Sequence, residues 1–475
     1  MATRAIRRLY RILISLQLAV VLLVLLTLSL VVATTLESRF DTPTAQYFVY
    51  KSAWFSGLLA LLGVNILAVA LSRLPWKRRH IPFLSAHLGI LLLLFGSWVT
   101  RTRGLDGMMR IAEGESQSIV EVDEPQLVLQ SPKETRIFPL PWIPPSVAFR
   151  GVKLPYGLAV EEYLSRAEPV FFFDPSEGPQ AKPAVQLRFS TKRSMGGMPA
   201  MAASQELWLW DGADDWRRSD IGPARVYFGE AAPEGPGPWI RITALSNSRL
   251  GFEALSMRQE KTRGTVQVTD GRAVVDPGWN AIRIEVTKFI PKAIPRTDYV
   301  PAKLQYGPKA PPSAIRLRGP RRPDGTPGEL LWLGMGDRAT FDLGGDEVRI
   351  SYGPKRVMVP FALRLQRFEL ERYPGSLQPA SFSSRVSVEG DPKTRFDQTI
   401  SMNEPLEWKR FTFYQSSYED AFPRPTVSIF SVNHDPGRAL KYLGSLILVV
   451  GIIHFYLARA RRKRPAGAAA PEATA

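Results

Sequence analysis

The chain has 475 residues, 45% of them hydrophobic, and a formal charge of +17; that length holds two or more ordinary domains. It contains no cysteine, which excludes disulfides, thiolate metal sites and thiol-based electron transfer by this polypeptide. The charge would suit a nucleic acid, but it is concentrated beside apolar runs and no nucleic-acid motif accompanies it, so no nucleic-acid partner is expected.

The first apolar run, about Ile12 to Ala33, follows Arg4, Arg7, Arg8 and Arg11. Its roughly 22 residues suffice to cross a hydrocarbon core at about 1.5 Å per residue. No small-x-small cleavage site follows it, so it reads as a retained helix rather than a signal peptide. Two more runs, 54–71 and 81–99, are separated by SRLPWKRRH, which holds Arg73, Lys77, Arg78 and Arg79. A fourth, 439–458, leads into a basic tail, 459–475, opening with Arg459, Arg461, Arg462, Lys463 and Arg464.

Lys and Arg near membrane ends are retained on the cytoplasmic side. All three basic clusters agree on four crossings with both termini cytoplasmic; Arg101 and Arg103, just outside the third run, mildly oppose it but are outnumbered. Residues 104–438 are then extracytoplasmic, and the expected location is a bacterial cytoplasmic (inner) membrane.

Between the third and fourth runs the pattern becomes short and alternating, as in AVQLRF, AIRIEVTKFI, DEVRISYG, FALRLQRFELERY and TVSIFSV. Period-two alternation rich in Val, Ile, Phe and Tyr is what half-buried strands require. The expected fold is therefore four transmembrane α-helices, three N-terminal and one C-terminal, with a large all-β extracytoplasmic domain. Pro- and Gly-rich clusters supply its turns, and the richest, 306–329, is the expected divide between two β lobes. LWLWDGADDW, with Trp208, Trp210 and Trp216, reads as a strand and turn packed for structure.

Four histidines are present, and His87 stands out because it interrupts an apolar membrane run, where an ionisable group is costly and reads as functional by default. The bland alternative is a hydrogen bond between helices, to Ser85 or Asn65. His454 lies at similar depth in the fourth run, which would permit a site shared with His87. His80 ends the basic turn as a solvated group, and His434 reads as a turn-stabilising residue outside the membrane. Gly57, Gly63, Gly89, Gly96, Gly444 and Gly451 would allow close helix approach.

Several segments in order resemble the ResB family of cytochrome c biogenesis proteins. The block from YKSAWF to SWVTR, with Trp54, Phe55, Asn65, Arg73, Pro75, His87 and Gly89, is similar to the family's second and third helices. ISMNEPLEWKRFTFYQSSYED and NHDPGRALKYLGSLILVVG resemble its Asn-x-Pro-Leu, Tyr-Gln-x-Ser-Tyr and Asp-Pro-Gly segments before the last helix.

The resemblance implies a membrane subunit that helps deliver haem b and attach it to apocytochrome c with a ResC/CcsA-type partner, and that is not an enzyme by itself. His87 and His454 are then the candidate haem-binding residues, with His87 as an axial ligand of the iron. Reduction of apocytochrome thiols would fall to separate thioredoxin-like proteins, because only a thiol performs that exchange. A β-rich membrane receptor or scaffold that never meets haem is the alternative.

Overall fold

The computed structural model describes residues 2–191, 204–222, 224–230, 237–279, 282–302, 311–321, 325–342, 346–376, 378–390, 395–419 and 426–463. The tail beyond residue 463 and parts of 306–329 lie outside them. The chain divides into two compact units, one of Met1–Arg150 with Met335–Ala475 and the other of Gly151–Gly334.

The first unit opens with helix α1 (Ala2–Leu13), followed by α2 (Leu16–Arg39), α3 (Ala53–Leu71), α4 (Ile81–Arg103) and, after the sheet, α5 (Arg438–Lys463). Helices α2 to α5 are each long and apolar enough to cross a membrane. Their flanks carry Val20, Leu23, Val24, Leu446, Val450 and Ile453 exposed, a surface compatible with lipid rather than water. Three crossing helices precede the sheet and one follows it, as the hydropathy pattern predicts.

The first apolar run differs from expectation at its start. Ile12 and Leu13 belong to α1, and the crossing helix begins at Leu16. The break is local chemistry, because Ser15 has extended backbone (ψ 140°) and its hydroxyl accepts from the Leu18 amide at 3.1 Å while donating to the Ile12 carbonyl at 2.8 Å. One side chain thus satisfies the end of one helix and the start of the next. At its far end α2 runs past the apolar residues to Arg39, and the short turns Thr42–Ala45 and Gln46–Tyr50 lead to α3.

Helices α4 and α5 pack along a line of small residues. A Cβ on Gly89 would lie 2.7 Å from the Gly444 carbonyl oxygen, one on Gly444 2.8 Å from that of Gly89, and one on Gly451 2.7 Å from the Ala86 amide nitrogen. Gly437 meets the Gly96 carbonyl closer still. Gly57 has nothing near it and Gly63 only ordinary contact with Leu94, so the predicted close approach is confined to this one antiparallel pair. The opposite side of the bundle is a conventional apolar core of Leu22, Leu62 and Ile66 with Ile90, Leu91 and Leu94.

The unit's sheet is antiparallel, in the order Arg395–Ile400, Pro379–Glu389, Glu347–Arg372, Ser116–Gln130, Leu105–Ala112, Val427–His434, Phe411–Glu419 and Leu406–Trp408. Strands Thr135–Pro139 and Arg338–Asp342 pair off this path. Ile400 at one end and Leu406 and Phe413 at the other share a core with Met109, Phe361, Val386 and Phe430, so the sheet curls over a single interior. Within Glu347–Arg372 the buried positions are Val348, Ile350 and Tyr352, then Val359, Phe361, Leu363 and Leu365. The phase moves from even to odd across the register shifts at Pro354/Lys355 and Met358/Leu363, as a bulge requires to keep apolar side chains on one face.

The second unit is also β-rich. One sheet contains Lys182–Thr191, Ser204–Trp210, Ile282–Pro301, Ala273–Val275 and Ala167–Pro175, and a second runs from Arg218–Ile221 through Ala224–Phe228, Trp239–Ser246 and Arg249–Leu255 to Lys261–Gln267. They enclose a common core that includes Leu187, Leu209, Val226, Ile240 and Ile284. Trp208, Trp210 and Trp216 pack about Phe173 and Ile290, and Trp210 Nε1 donates to the Ala293 carbonyl at 3.1 Å. These tryptophans are packing residues, as their alternation suggests.

Because the α4–α5 contact is backbone on backbone, Gly89→Val is expected to destabilise the protein by about 1–3 kcal/mol through overpacking. Gly57→Val, facing open space, is the control. Thermal unfolding of both variants in the same detergent checks this, and equal loss would refute it.

Candidate functional site

His87 lies in the first half of α4, where the sequence already marks it. Its Nδ1 is 2.9 Å from the Phe83 carbonyl oxygen, one turn earlier. A carbonyl only accepts, so the bond requires hydrogen on Nδ1 and leaves Nε2 of the neutral ring with its lone pair. The ring also lies against Phe83, centroid to centroid 3.8 Å, and Phe83 in turn lies under the Arg73 guanidinium at 4.0 Å. His87 is half-buried, so it has an orienting partner and a wall while one edge stays accessible.

The bland interhelical bond to Ser85 or Asn65 is not formed. Asn65, 2% exposed, instead donates to the Leu13 carbonyl at 2.6 Å and thereby holds the end of α1.

The structure does not bring His454 to His87. Gly89 and Gly96 face α5, and at about 100° per residue His87 lies roughly 160° around α4 from Gly89. It is thus on the side away from α5. Gly451 sits level with Ser85 and Ala86, which places His454 closer to the basic hairpin, and its side chain is exposed. No hydrogen bond or ring contact joins the two imidazoles among the described residues.

His80 is occupied locally, with Nδ1 3.4 Å from the Lys77 amide nitrogen and Nε2 3.3 Å from Arg79 Nε. His434 ends the strand Val427–His434, stacks on Phe411 at 4.6 Å and donates from Nδ1 to the Arg410 carbonyl at 3.0 Å. Lys409 and Arg410 hold positive φ, 47° and 69°, in the hairpin turn between Trp408 and Phe411. Neither residue favours that region, so the bond from His434 supports a turn that lacks glycine.

A junction that the sequence conceals lies immediately after His434. Asp435 accepts from Thr100 Oγ1 at 2.5 Å, from the Gly437 amide at 3.0 Å and from Lys441 Nζ at 2.6 Å. It ties the outgoing end of α4 to the start of α5 just where the strand Val427–His434 delivers the chain. The carboxylate is only 13% exposed. Burial alone would raise its pKa, but the bonds from Lys441 and Thr100 outweigh that and hold it below the usual carboxylate range. No sequence signal marks Thr100 as its partner, because 335 positions separate them.

Comparison with known proteins adds to this geometry. The ResB-like family model matches residues 334–429. These are largely the strands of the first unit's sheet and include the Asn-x-Pro-Leu and Tyr-Gln-x-Ser-Tyr segments. That segment is ResB-like.

Over 451 residues the chain is 25% identical to Protein NrfI of Wolinella succinogenes, a match that covers 94% of this chain and 35% of that protein. It therefore spans about a third of the length of the curated relative. Helices and sheet alike fall within the aligned length, so the likeness extends well beyond the segment matched by the family model.

The lowered Asp435 carboxyl sets a direction for pH dependence. A group depressed by folding contributes stability that is present above its ordinary pKa of about 3.9 and is lost as pH falls through the lower folded value. Asp435→Asn is expected to lose about 1–3 kcal/mol at neutral pH and to unfold less steeply below about pH 4 than the parent. Melting temperatures measured from pH 7 to pH 3 check both; parallel curves would contradict the assignment.

Proposed function

We propose that this chain is the membrane subunit of a cytochrome c maturation complex and that it contributes one imidazole, His87, to haem held among membrane helices. The observation that carries the reading is the His87–Phe83 bond. A ring nitrogen donating to a backbone carbonyl fixes tautomer and orientation and raises the basicity of the other nitrogen, the usual preparation of a histidine that ligates metal. Of the residues present, His87 would hold haem b through the imidazole Nε2. A second ligand would come from a ResC/CcsA-type partner, because His454 lies round the bundle from His87.

When bound, haem would supply an iron for the imidazole and vinyl groups to which the thiols of apocytochrome c add. This chain's own part is to hold, orient and shield. Phe83 forms a wall beside the ring, and Arg73, Lys77, Arg78 and Arg79 offer cations to propionates at the membrane edge. Since the chain has no cysteine, thiol reduction belongs to separate thioredoxin-like proteins.

The orientation that fits this role places both termini in the cytoplasm and the β units outside, following the basic clusters at one end of the bundle. Arg101, which counts against that orientation, donates to the Tyr50 and Lys51 carbonyls at 3.1 and 2.9 Å. Its charge therefore has a structural use where it stands.

Copurification of the chain with its partner, followed by the haem absorbance of the complex, tests the proposal. His87→Ala is expected to lose most of the bound haem with the complex intact, whereas His454→Ala retains it. Unchanged haem in His87→Ala would favour a β-rich scaffold that does not bind haem.

A further inference from the structure

The haem reading makes no use of α1, and its sequence is sharply two-sided. At about 100° per residue, Arg4, Arg7, Arg8 and Arg11 fall within roughly 100° of arc, while Ala5, Ile6, Leu9, Ile12 and Leu13 occupy the opposite side. The apolar side is not covered by the rest of the protein, with Ile6 65%, Leu9 58% and Ile12 56% exposed.

The helix is nonetheless fixed in place. Asn65 of α3 donates to the Leu13 carbonyl at 2.6 Å, and the Ser15 hydroxyl bonds both the Ile12 carbonyl and the Leu18 amide. The extended backbone at Ser15 means that α1 is not a continuation of the crossing helix α2. An uncovered apolar stripe, a polar face made only of arginine and a hydrogen-bonded break directly before a membrane helix point to one environment.

We infer that α1 is an interfacial helix whose apolar side enters the bilayer at its headgroup boundary and whose arginines bind anionic phospholipid headgroups. Helices of this composition lie in the plane of the interface, held by both apolar area and charge. Arg73, Lys77, Arg78 and Arg79 follow the same end of α3 that Asn65 links to α1, so they extend the cationic surface. Asn65 sets where the helix leaves the membrane plane, a use of a buried amide that differs from pairing two crossing helices. The inference holds whether or not haem is bound, and on either side of the membrane.

The cysteine-free chain permits a direct test with the full-length protein. Arg8→Cys and Leu9→Cys are each labelled with a nitroxide and placed in nanodiscs of 70% phosphatidylcholine and 30% phosphatidylglycerol. The label at Leu9 is expected to relax more with oxygen than with a water-soluble nickel chelate, and the label at Arg8 the reverse. Equal access of the chelate to both would overturn the insertion.

In a second measurement, retention of phosphatidylglycerol by the detergent-purified protein is read by native mass spectrometry. Each arginine near an anionic surface contributes a factor of about five in affinity, so R4Q/R7Q/R8Q/R11Q is expected to lower that retention at least about tenfold without altering phosphatidylcholine. Equal retention of the two lipids by the parent protein would overturn the headgroup assignment.

Discussion

The first unit depends on the contact between α4 and α5. Residues 104–437, with all the strands, lie between these helices, so the bundle is completed only when the fourth crossing returns to the third. In lipid there is little hydrophobic force to drive that return. Backbone approach along Gly89, Gly96, Gly437, Gly444 and Gly451 replaces it with dense van der Waals contact, and Asp435 adds charge-assisted hydrogen bonds at the membrane end. The same carboxylate stands between strand and helix, so one side chain links the closed bundle to the end of the sheet.

That arrangement also sets the surroundings of His87. The glycine side is consumed by α5, and Ile90, Leu91 and Leu94 pack on α2 and α3. His87 lies on the same stripe as Ile90, Leu91 and Leu94, away from α5 and nearer the basic end of the helix, where Phe83 orients it. An imidazole placed this way is held at Nδ1 and, as a neutral ring, keeps a lone pair on Nε2.

Much of this was legible in the sequence because hydropathy and alternation are local signals. The four crossings, the β character of the body, the packing role of the Trp208 to Trp216 segment and the cost of placing His87 in lipid all follow from a few neighbouring residues. What escaped were relations between distant segments. His87 and His454 have similar apparent depth along their helices, but depth carries no information about the side of a helix, and the α4–α5 seam turns the two residues apart. Asn65 reads as an amide that bonds across a helix interface and does so, but its partner, the Leu13 carbonyl at the end of α1, is hidden because the hydrophobic run reads straight through the break at Ser15. The Asp435–Thr100 bond has no local trace at all.

The most direct test of His87 as an iron ligand is chemical rescue. The complex containing His87→Gly should lose most of its haem absorption and regain it when haem is added together with free imidazole, which fills the cavity left by the side chain, but not when haem is added alone. A His87→Gly complex whose haem spectrum matches the parent before imidazole is added would contradict the account.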